Sequence, residues 1–254
     1  MLPFLKNHPF AVEAFFKSSL VLTFAIPKEQ LQSLIPGCLR LDTFKDKWAF
    51  IAVAMVQTKD LRPKGLPQFF GNDFFLIGYR VFVRYTNKAG KNLRGLYILK
   101  SETDRRKMTF FGNIFTHYNY TTTDITRTTQ NDSLEISSIK SGFKLRVAKS
   151  NAENISLPGE SPFSNWKEAR RFAGPLPFTF TYNPVDKKVL VIEGVRENWI
   201  PSALKVLSYR FSFLDNMKLT GIKLANSFII ENIPYYWKKG KIEQWKKEEN
   251  SRAF

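Results

Sequence analysis

The sequence predicts a mainly β protein of the α+β class, with a few short helices. Several segments alternate apolar and polar residues, which is typical of strands with one buried face, and only three segments favour a helix. The 254 residues include 24 phenylalanines, and 43% are hydrophobic, which is enough for a large core and excludes global disorder. Because no repeat or linker-like stretch interrupts the chain, we expect one domain over residues 1–254, with a basic C-terminal tail from about residue 238.

Strand patterns fill the first hundred residues. Leu20, Leu22 and Phe24 share one face of the first pattern, and Pro27 ends it. The predicted strands of this half are 18–26, 39–44, 48–57, 74–85 and 93–100. We expect 39–44 and 48–57 to form a hairpin, and residues 58–72 to form a loop because they contain two prolines and two glycines.

The remaining elements alternate less regularly. The predicted helices are 28–35, 104–118 with Ser101 or Thr103 as N-cap, and one around 166–172. The predicted strands are two or three within 120–148, a hairpin of 178–182 with 188–193, and a last long strand at 219–230. Ten or so strands with few helices are therefore expected.

The chain is strongly basic, with 39 Lys and Arg against 22 Asp and Glu and a net charge of +17. Such a surface attracts anions, although a solvated lysine-rich face is the simpler interpretation. The basic residues are scattered, and the densest group is Lys238, Lys239, Lys241, Lys246 and Lys247. Scattered charge makes nucleic acid an unlikely partner of the chain. The single cysteine, Cys38, and the absence of a transmembrane segment or signal peptide predict a cytoplasmic protein.

The common catalytic motifs are missing from the sequence. Two histidines and one cysteine cannot form a common His/Cys metal centre, so no metal site is expected. There is no nucleophile elbow, phosphate-binding loop or dinucleotide fingerprint, and no cofactor is expected.

Arg80 is the most informative candidate residue. It lies inside the strand pattern 74–85 and shares a face with Phe74, Leu76 and Phe82. A buried guanidinium needs a partner, because leaving it unpaired is costly. Three alternatives stay open: a structural ion pair, an exposed face, or an anchor in a cavity for a carboxylate or phosphate.

Glu13 and Asp73 are the protein acids that we consider as partners of Arg80. If neither reaches it, an anionic ligand is the natural remaining partner. His117 and Tyr118 are then candidates for the opposite wall of the ligand site. Lys107 is a further candidate, as an amine nucleophile, although its place in the run 105–107 is also typical of a solvated helix.

The order of segments resembles the YqjF-like domain of unknown function, which in turn is similar to the acetoacetate decarboxylase-like superfamily. The resemblance rests on diffuse patterns spread between His8 and Trp237. These are LDTFKDKWAFIAVAMV, DFFLIGYRVFVRY, GLYILKSETD, FGNIFTHYNY, NWIPSALKVL and the strand before Tyr235-Tyr236-Trp237.

This resemblance implies an antiparallel β-barrel or a cone-like double sheet around an internal cavity, in agreement with the strand count. Acetoacetate decarboxylase forms a Schiff base on a lysine within a Pro-Lys-Lys run. The matching segment here is Phe115-Thr116-His117-Tyr118 and contains no lysine, and Leu76 stands where a pocket Glu is expected. We therefore expect lysine-type decarboxylation to be absent, and of the family's pocket positions only Arg80 carries over.

Three functions follow as hypotheses. The first is a barrel that binds a small acidic or amphipathic ligand, with or without a reaction, and that is free to form a homo-oligomer. The second is a Schiff-base or acid–base lyase or decarboxylase acting on a keto acid. The third is a basic module that binds nucleic acid or an anionic membrane.

Overall fold

The computed structural model describes residues 3–148, 155–197 and 199–245. The helical elements are the 3₁₀ turns Pro3–Asn7, Gln32–Leu34 and Gln68–Phe70, and the α-helices α1 (Lys28–Leu31), α2 (Arg106–Phe115), α3 (Trp166–Ala173) and α4 (Ser212–Asn216). The strands are β1 (Val12–Pro27), β2 (Arg40–Leu41), β3 (Trp48–Pro63), β4 (Asn72–Thr86), β5 (Asn92–Thr103), β6 (Tyr120–Thr122), β7 (Thr126–Gln130), β8 (Ser133–Ser138), β9 (Phe143–Ala148), β10 (Phe178–Asn183), β11 (Lys188–Arg196), β12 (Ser202–Ala203), β13 (Val206–Phe211), β14 (Lys223–Trp237) and β15 (Lys241–Gln244).

Most strands belong to one large sheet with the order β12-β14-β1-β3-β4-β5-β10-β11-β15. β11 also pairs with β14, from Gly194 opposite Trp237 to Arg196 opposite Tyr235, so the sheet closes on itself. Most pairings are antiparallel, but β5 pairs in parallel with both β6 and β10. The predicted mainly β fold is confirmed, in its cone-like rather than its cleanly cylindrical form.

A second sheet, ordered β13-β9-β8-β7, packs against the large one and forms the main core with it. Alternation decides which residues enter this core. Odd-numbered positions of β3 and β4, such as Ile51, Val53, Ile77 and Tyr79, are fully buried there. The even-numbered positions of the same strands point to the other face, where the cavity lies.

Several local predictions are confirmed by the structure. The strand at 74–85 is β4, the hairpin of 178–182 with 188–193 is β10 and β11, and the short helix near 166 is α3. The Asn165 side chain caps α3 by accepting the Glu168 backbone N–H at 2.9 Å, as expected for a helix that follows a polar loop.

Other predictions are wrong. Of the predicted hairpin between 39–44 and 48–57 only its turn end forms, as the antiparallel bridge between Phe44 and Trp48. β2 is only two residues long and pairs with β4 instead. The predicted loop 58–72 is largely strand, since β3 continues to Pro63 past a register shift between Thr58 and Leu61. Four strands, rather than two or three, lie within 120–148.

Two terminal details also differ from expectation. The N-cap of α2 is Arg105, without a side-chain cap, and not Ser101 or Thr103. The last long strand, β14, runs from Lys223 to Trp237 and not from 219 to 230. Within the basic tail, β15 pairs with β11, whereas residues 246 and 247 lie outside the described part of the chain.

Candidate functional site

A cavity of about 590 Å³ lies inside the closed sheet. Its wall comes from one face each of β1, β3, β4, β5 and β14. The cover comes from α2, from the segment around His8 to Phe10, from residues 173–176 at the end of α3, and from the loop between β3 and β4. The lining is mostly apolar, with a few polar groups among aromatic side chains, which is typical of a small-molecule site.

Small residues on neighbouring strands make room for this cavity. Ala54 of β3 lies opposite Gly78 of β4, and Gly78 in turn lies opposite Ser101 of β5. The next cavity-facing pair on β3 and β4 is Ala52 opposite Arg80. Large side chains at these positions would fill the space that the sheet encloses.

Arg80 lines the cavity beside Phe74, Leu76 and Phe82, on the face that alternation predicts. Its side chain folds back over Gly78: a Cβ atom on Gly78 would lie 3.1 Å from Arg80 Nε and 3.2 Å from Nη2. The absence of a side chain at Gly78 is therefore what gives the guanidinium its place.

The Arg80 guanidinium has no protein acid as a partner in the described part of the chain. Glu13 forms an ion pair with Arg62 at 2.7 Å, and Asp73 forms one with Lys59. Arg80 Nε is buried and without a hydrogen-bond acceptor among the described residues. Of the alternatives from the sequence, the ion pair with Glu13 or Asp73 is therefore not what the structure contains.

Three tyrosines lie within electrostatic reach of Arg80 and line the same cavity: Tyr118, Tyr120 and Tyr235. Burial raises the pKa of each phenol, to about 12 for Tyr120, and the Arg80 charge opposes the rise in all three. For Tyr118, the Tyr120 phenol also raises the pKa, while a hydrogen bond with Thr179 lowers it. At neutral pH the three phenols are therefore neutral O–H donors next to a cation, a combination suited to an anion.

A second guanidinium, that of Arg196, is held by the protein. It donates to the Pro175 carbonyl oxygen at 2.6 Å and stacks 4.6 Å from the centre of the Trp199 ring. Its charge also lowers the pKa of Tyr235, against the larger effect of burial. The Tyr235 hydroxyl fits only because Gly194 has no side chain, since a Cβ there would lie 1.9 Å from that oxygen. Arg196 is thus engaged by a backbone carbonyl and by the Trp199 ring, whereas Arg80 has donors to spare.

The structure brings together two of the three predicted site residues. Arg80 and Tyr118 line the cavity. His117 is not among the lining residues, and its Nε2 atom lies 3.3 Å from Asn7 Oδ1. The histidine that does line the cavity is His8, which is buried with its Nδ1 unpaired within the described chain. Burial lowers the pKa of His8 despite two opposing backbone hydrogen bonds.

Lys107 is the one lysine among the described lining residues, and it is exposed at the rim. Among the residues that the structure describes, no group of three or more His, Cys, Asp and Glu side chains could hold a metal ion. None of the described helices is long and apolar enough to cross a bilayer.

Sequence reasoning missed Tyr120, Tyr235, Arg196 and Gly194 as members of the site. In the sequence, Tyr235 marks only the end of the closing strand. Its position next to Arg80 depends on the closure of the sheet between β11 and β14, and no local sequence signal indicates that closure.

Comparison with known families gives one match that covers most of the chain. The profile of the DUF2071 family, described as an uncharacterized conserved protein, matches residues 14–229. The chain therefore belongs to this family. No curated protein matches the sequence.

Solved structures with a similar fold include acetoacetate decarboxylases. The acetoacetate decarboxylase of Legionella pneumophila is 12% identical with a TM-score of 0.58, over 93% of this chain and 89% of that one. An acetoacetate decarboxylase-like enzyme from Sphingomonas wittichii RW1 is 10% identical with a TM-score of 0.57, over 96% and 95% of the two chains. The enduracididine biosynthesis enzyme MppR, complexed with a condensation product of pyruvate and imidazole 4-carboxaldehyde, is 8% identical with a TM-score of 0.52, over 92% and 89%. At these identities the likeness establishes the fold.

Proposed function

We propose that this protein binds a small amphipathic carboxylate in the cavity of its closed sheet. The observation that carries the proposal is the Arg80 guanidinium, which lines the cavity without an acidic partner among the described residues. A carboxylate matches the planar fork of an arginine and forms two parallel charge-assisted hydrogen bonds with it.

Neutral donors complete the anion site. Tyr118 and Tyr235 line the cavity, close enough for the Arg80 charge to lower the pKa of their phenols. Both supply an O–H group. One free guanidinium with neutral hydroxyls balances a single negative charge, which favours a carboxylate over a dianionic phosphate. The rest of the ligand would contact apolar side chains such as Phe16, Phe74 and Phe228.

The size of the cavity limits the ligand. A volume of about 590 Å³ lies within the range of sites that enclose drug-sized molecules. The ligand is thus larger than acetate or pyruvate if it fills the space, and it has an apolar chain or ring behind the carboxylate.

A keto-acid lyase is the second candidate, and Lys107 is the observation that favours it. This lysine lines the rim of the cavity, and MppR, which is similar in fold, is complexed with a product formed from pyruvate. Schiff-base chemistry requires a neutral amine, which a desolvated pocket favours. Because Lys107 is exposed, we favour binding without this reaction.

We further propose that the chain acts as a single cytoplasmic domain whose partner is a small molecule, without nucleic acid. The closed large sheet shares one core with the second sheet, which supports a single unit. The single cysteine, Cys38, supports a reducing compartment.

The proposed function can be tested by titration of the cavity tryptophans. Trp199 and Trp237 line the cavity, so a bound ligand should change their fluorescence. Medium-chain fatty acids and aryl carboxylates serve as probes, and the matching primary amides are the controls. We expect each acid to bind at least tenfold more tightly than its amide at neutral pH, roughly the worth of a charge-assisted hydrogen bond. Equal affinities for acid and amide would contradict the proposal.

A further inference from the structure

Exposed phenylalanines surround the opening of the cavity on two separate elements. Phe69 and Phe70 lie on the 3₁₀ turn between β3 and β4, with ring centres 4.2 Å apart. Phe110 and Phe111 lie on α2, 5.3 Å apart. Phe69 is 79% exposed and Phe110 is 63% exposed, while Phe70 and Phe111 are partly exposed and also line the cavity. Single exposed apolar side chains are ordinary, but two such pairs around one opening form a patch.

Cations accompany both pairs. On α2, Arg106 precedes Phe110 and Lys107 precedes Phe111, each by four residues, so each cation lies next to a ring on the same face of the helix. The turn that carries Phe69 and Phe70 follows Lys64 in the run KGLPQFFG.

Acidic residues are missing from both rim segments. Neither KGLPQFFG nor α2, with the sequence RKMTFFGNIF, contains an acidic residue. The nearest acids along the chain form ion pairs, Asp73 with Lys59 and Asp104 with Arg105 at 3.8 Å. Asp60 lies against Gly71, and its charge is outweighed by those of Lys64, Arg106 and Lys107. The rim is therefore positive as well as apolar.

We infer that the rim, defined as residues 64–71 and 106–111, docks on an anionic phospholipid bilayer. Aromatic rings with flanking cations are the composition that inserts shallowly into a negatively charged membrane interface. A net charge of +17 strengthens the attraction. A second copy of this chain would carry the same positive charge on the same patch, so charge complementarity favours the lipid surface over self-association.

Docking in this orientation gives the cavity a direct route to the bilayer. Leu66, Phe70 and Phe111 belong both to the exposed surface and to the cavity lining. An amphipathic molecule could then pass from the membrane into the cavity without crossing bulk water. The inference concerns the rim and does not require the ligand proposed above.

The test is flotation of the purified full-length chain with lipid vesicles. Vesicles of phosphatidylcholine alone are compared with vesicles that also contain phosphatidylglycerol, at low and at high salt. We expect binding to the anionic vesicles that weakens as salt rises, because salt screens exposed charges. Absence of binding to the anionic vesicles would overturn the inference.

Two double variants test whether vesicle binding depends on the phenylalanines of the rim or on exposed apolar residues in general. Phe69→Ser with Phe110→Ser should lower the partition coefficient by at least about tenfold, since each removes a large apolar group. Ile139→Ser with Val185→Ser is the matched control, because both residues are highly exposed and neither lines the cavity. Equal losses in the two double variants would contradict docking through the rim.

Charge reversal gives an independent comparison. Arg106→Glu should reduce binding several-fold, whereas Lys205→Glu, an exposed site away from the rim, should have a smaller effect. Sedimentation of the same samples without lipid tests whether a second copy of the chain covers the rim instead. A dimer that dissociates when Phe69 and Phe110 are changed would overturn the inference. RNA is the other polyanion that a basic surface could bind, so RNA binding is measured as well. If Arg106→Glu weakened binding to RNA but not to the vesicles, that result would also count against the inference. Arg80→Met should leave vesicle binding unchanged, which distinguishes this inference from the proposed function.

Discussion

Replacement of Arg80 by methionine is the most direct test of the site. Methionine keeps much of the length and apolar stem of arginine and removes the charge. The structure contains no ion pair at Arg80 to break within the described chain, and its Nε already lacks a partner there. We therefore expect the free energy of unfolding to stay the same or to rise by about 1 kcal/mol, as happens when buried charges give way to apolar groups.

The effect of this change on ligand binding should be large. Hydrogen bonds to charged groups contribute about 1.5–3 kcal/mol, which corresponds to roughly a 10–150-fold loss of affinity for an amphipathic carboxylate. Binding of the neutral amide should change little, since the amide makes no use of the charge. Calorimetric or fluorescence titration of both probes measures the difference.

Arg84→Met is the matched control on the same strand. Arg84 Nε lies 2.6 Å from an oxygen of Asp42, whose carboxylate is fully buried and is shared with Arg94. Because Arg94 remains and Arg84 is partly exposed, we expect a loss of only about 1–2 kcal/mol in stability. This loss corresponds to a fall in Tm of roughly 2–8 °C for a chain of this size. Carboxylate binding should be spared. If Arg80→Met destabilises the fold as much as Arg84→Met and leaves carboxylate binding intact, the reasoning is refuted.

Three further outcomes follow from the same geometry. Gly78→Ala should weaken carboxylate binding while stability changes by less than about 1 kcal/mol, because the nearest atoms to the new methyl group belong to the guanidinium at the far end of the Arg80 side chain. An unchanged affinity would show that the place of the guanidinium is not critical. The native protein should lose stability as the pH falls below about 6.5, since burial lowers the pKa of His8 and the unfolded chain then binds more protons. His8→Asn, which tolerates the positive φ of 53°, should flatten the dependence of stability on pH that denaturant titrations measure. An equal dependence in the variant would assign it to other groups. Incubation with acetoacetate or pyruvate and borohydride should leave the mass of the protein unchanged, and an adduct on Lys107 would instead support the lyase.

Alternation carries much of what the sequence can predict. In β4 the period of two places Arg80 on the face of Phe74, Leu76 and Phe82, and the structure has the same face toward the cavity. The prediction succeeds because a strand that is buried on both faces cannot slip by one residue without exchanging its two environments.

Sequence reasoning fails where tertiary pairing overrides local composition. The segment after Thr58 looks like a loop because of its prolines and glycines, yet β3 continues through a register shift and pairs as far as Pro63. The segment 39–44 is misassigned for the opposite reason: its residues favour a strand that pairs with β3, but Arg40 and Leu41 pair with β4, and only Phe44 bridges to Trp48. Local propensity is a weak guide when a neighbouring strand supplies the hydrogen bonds.

The site divides in the same way. Arg80 can be found from the sequence because a charge inside an apolar strand conflicts with its surroundings. Tyr235 and Arg196 cannot be found in this way, because they join Arg80 in the cavity lining through the pairing of β11 with β14. That pairing joins segments about forty residues apart and follows from how the sheet closes.

The two acids that could have neutralised Arg80 decide between its structural and functional interpretations. Glu13 is paired with Arg62, and Asp73 with Lys59, so neither is available without the loss of another ion pair. A guanidinium whose Nε is desolvated and which has no acidic partner among the described residues raises the free energy of the empty protein, since a buried donor without an acceptor costs about 1–3 kcal/mol. A bound carboxylate removes that cost and adds its own charge-assisted hydrogen bonds. The same group that destabilises the empty cavity therefore increases affinity for an anion, and the ligand should raise the Tm of the native protein more than that of the Arg80→Met variant.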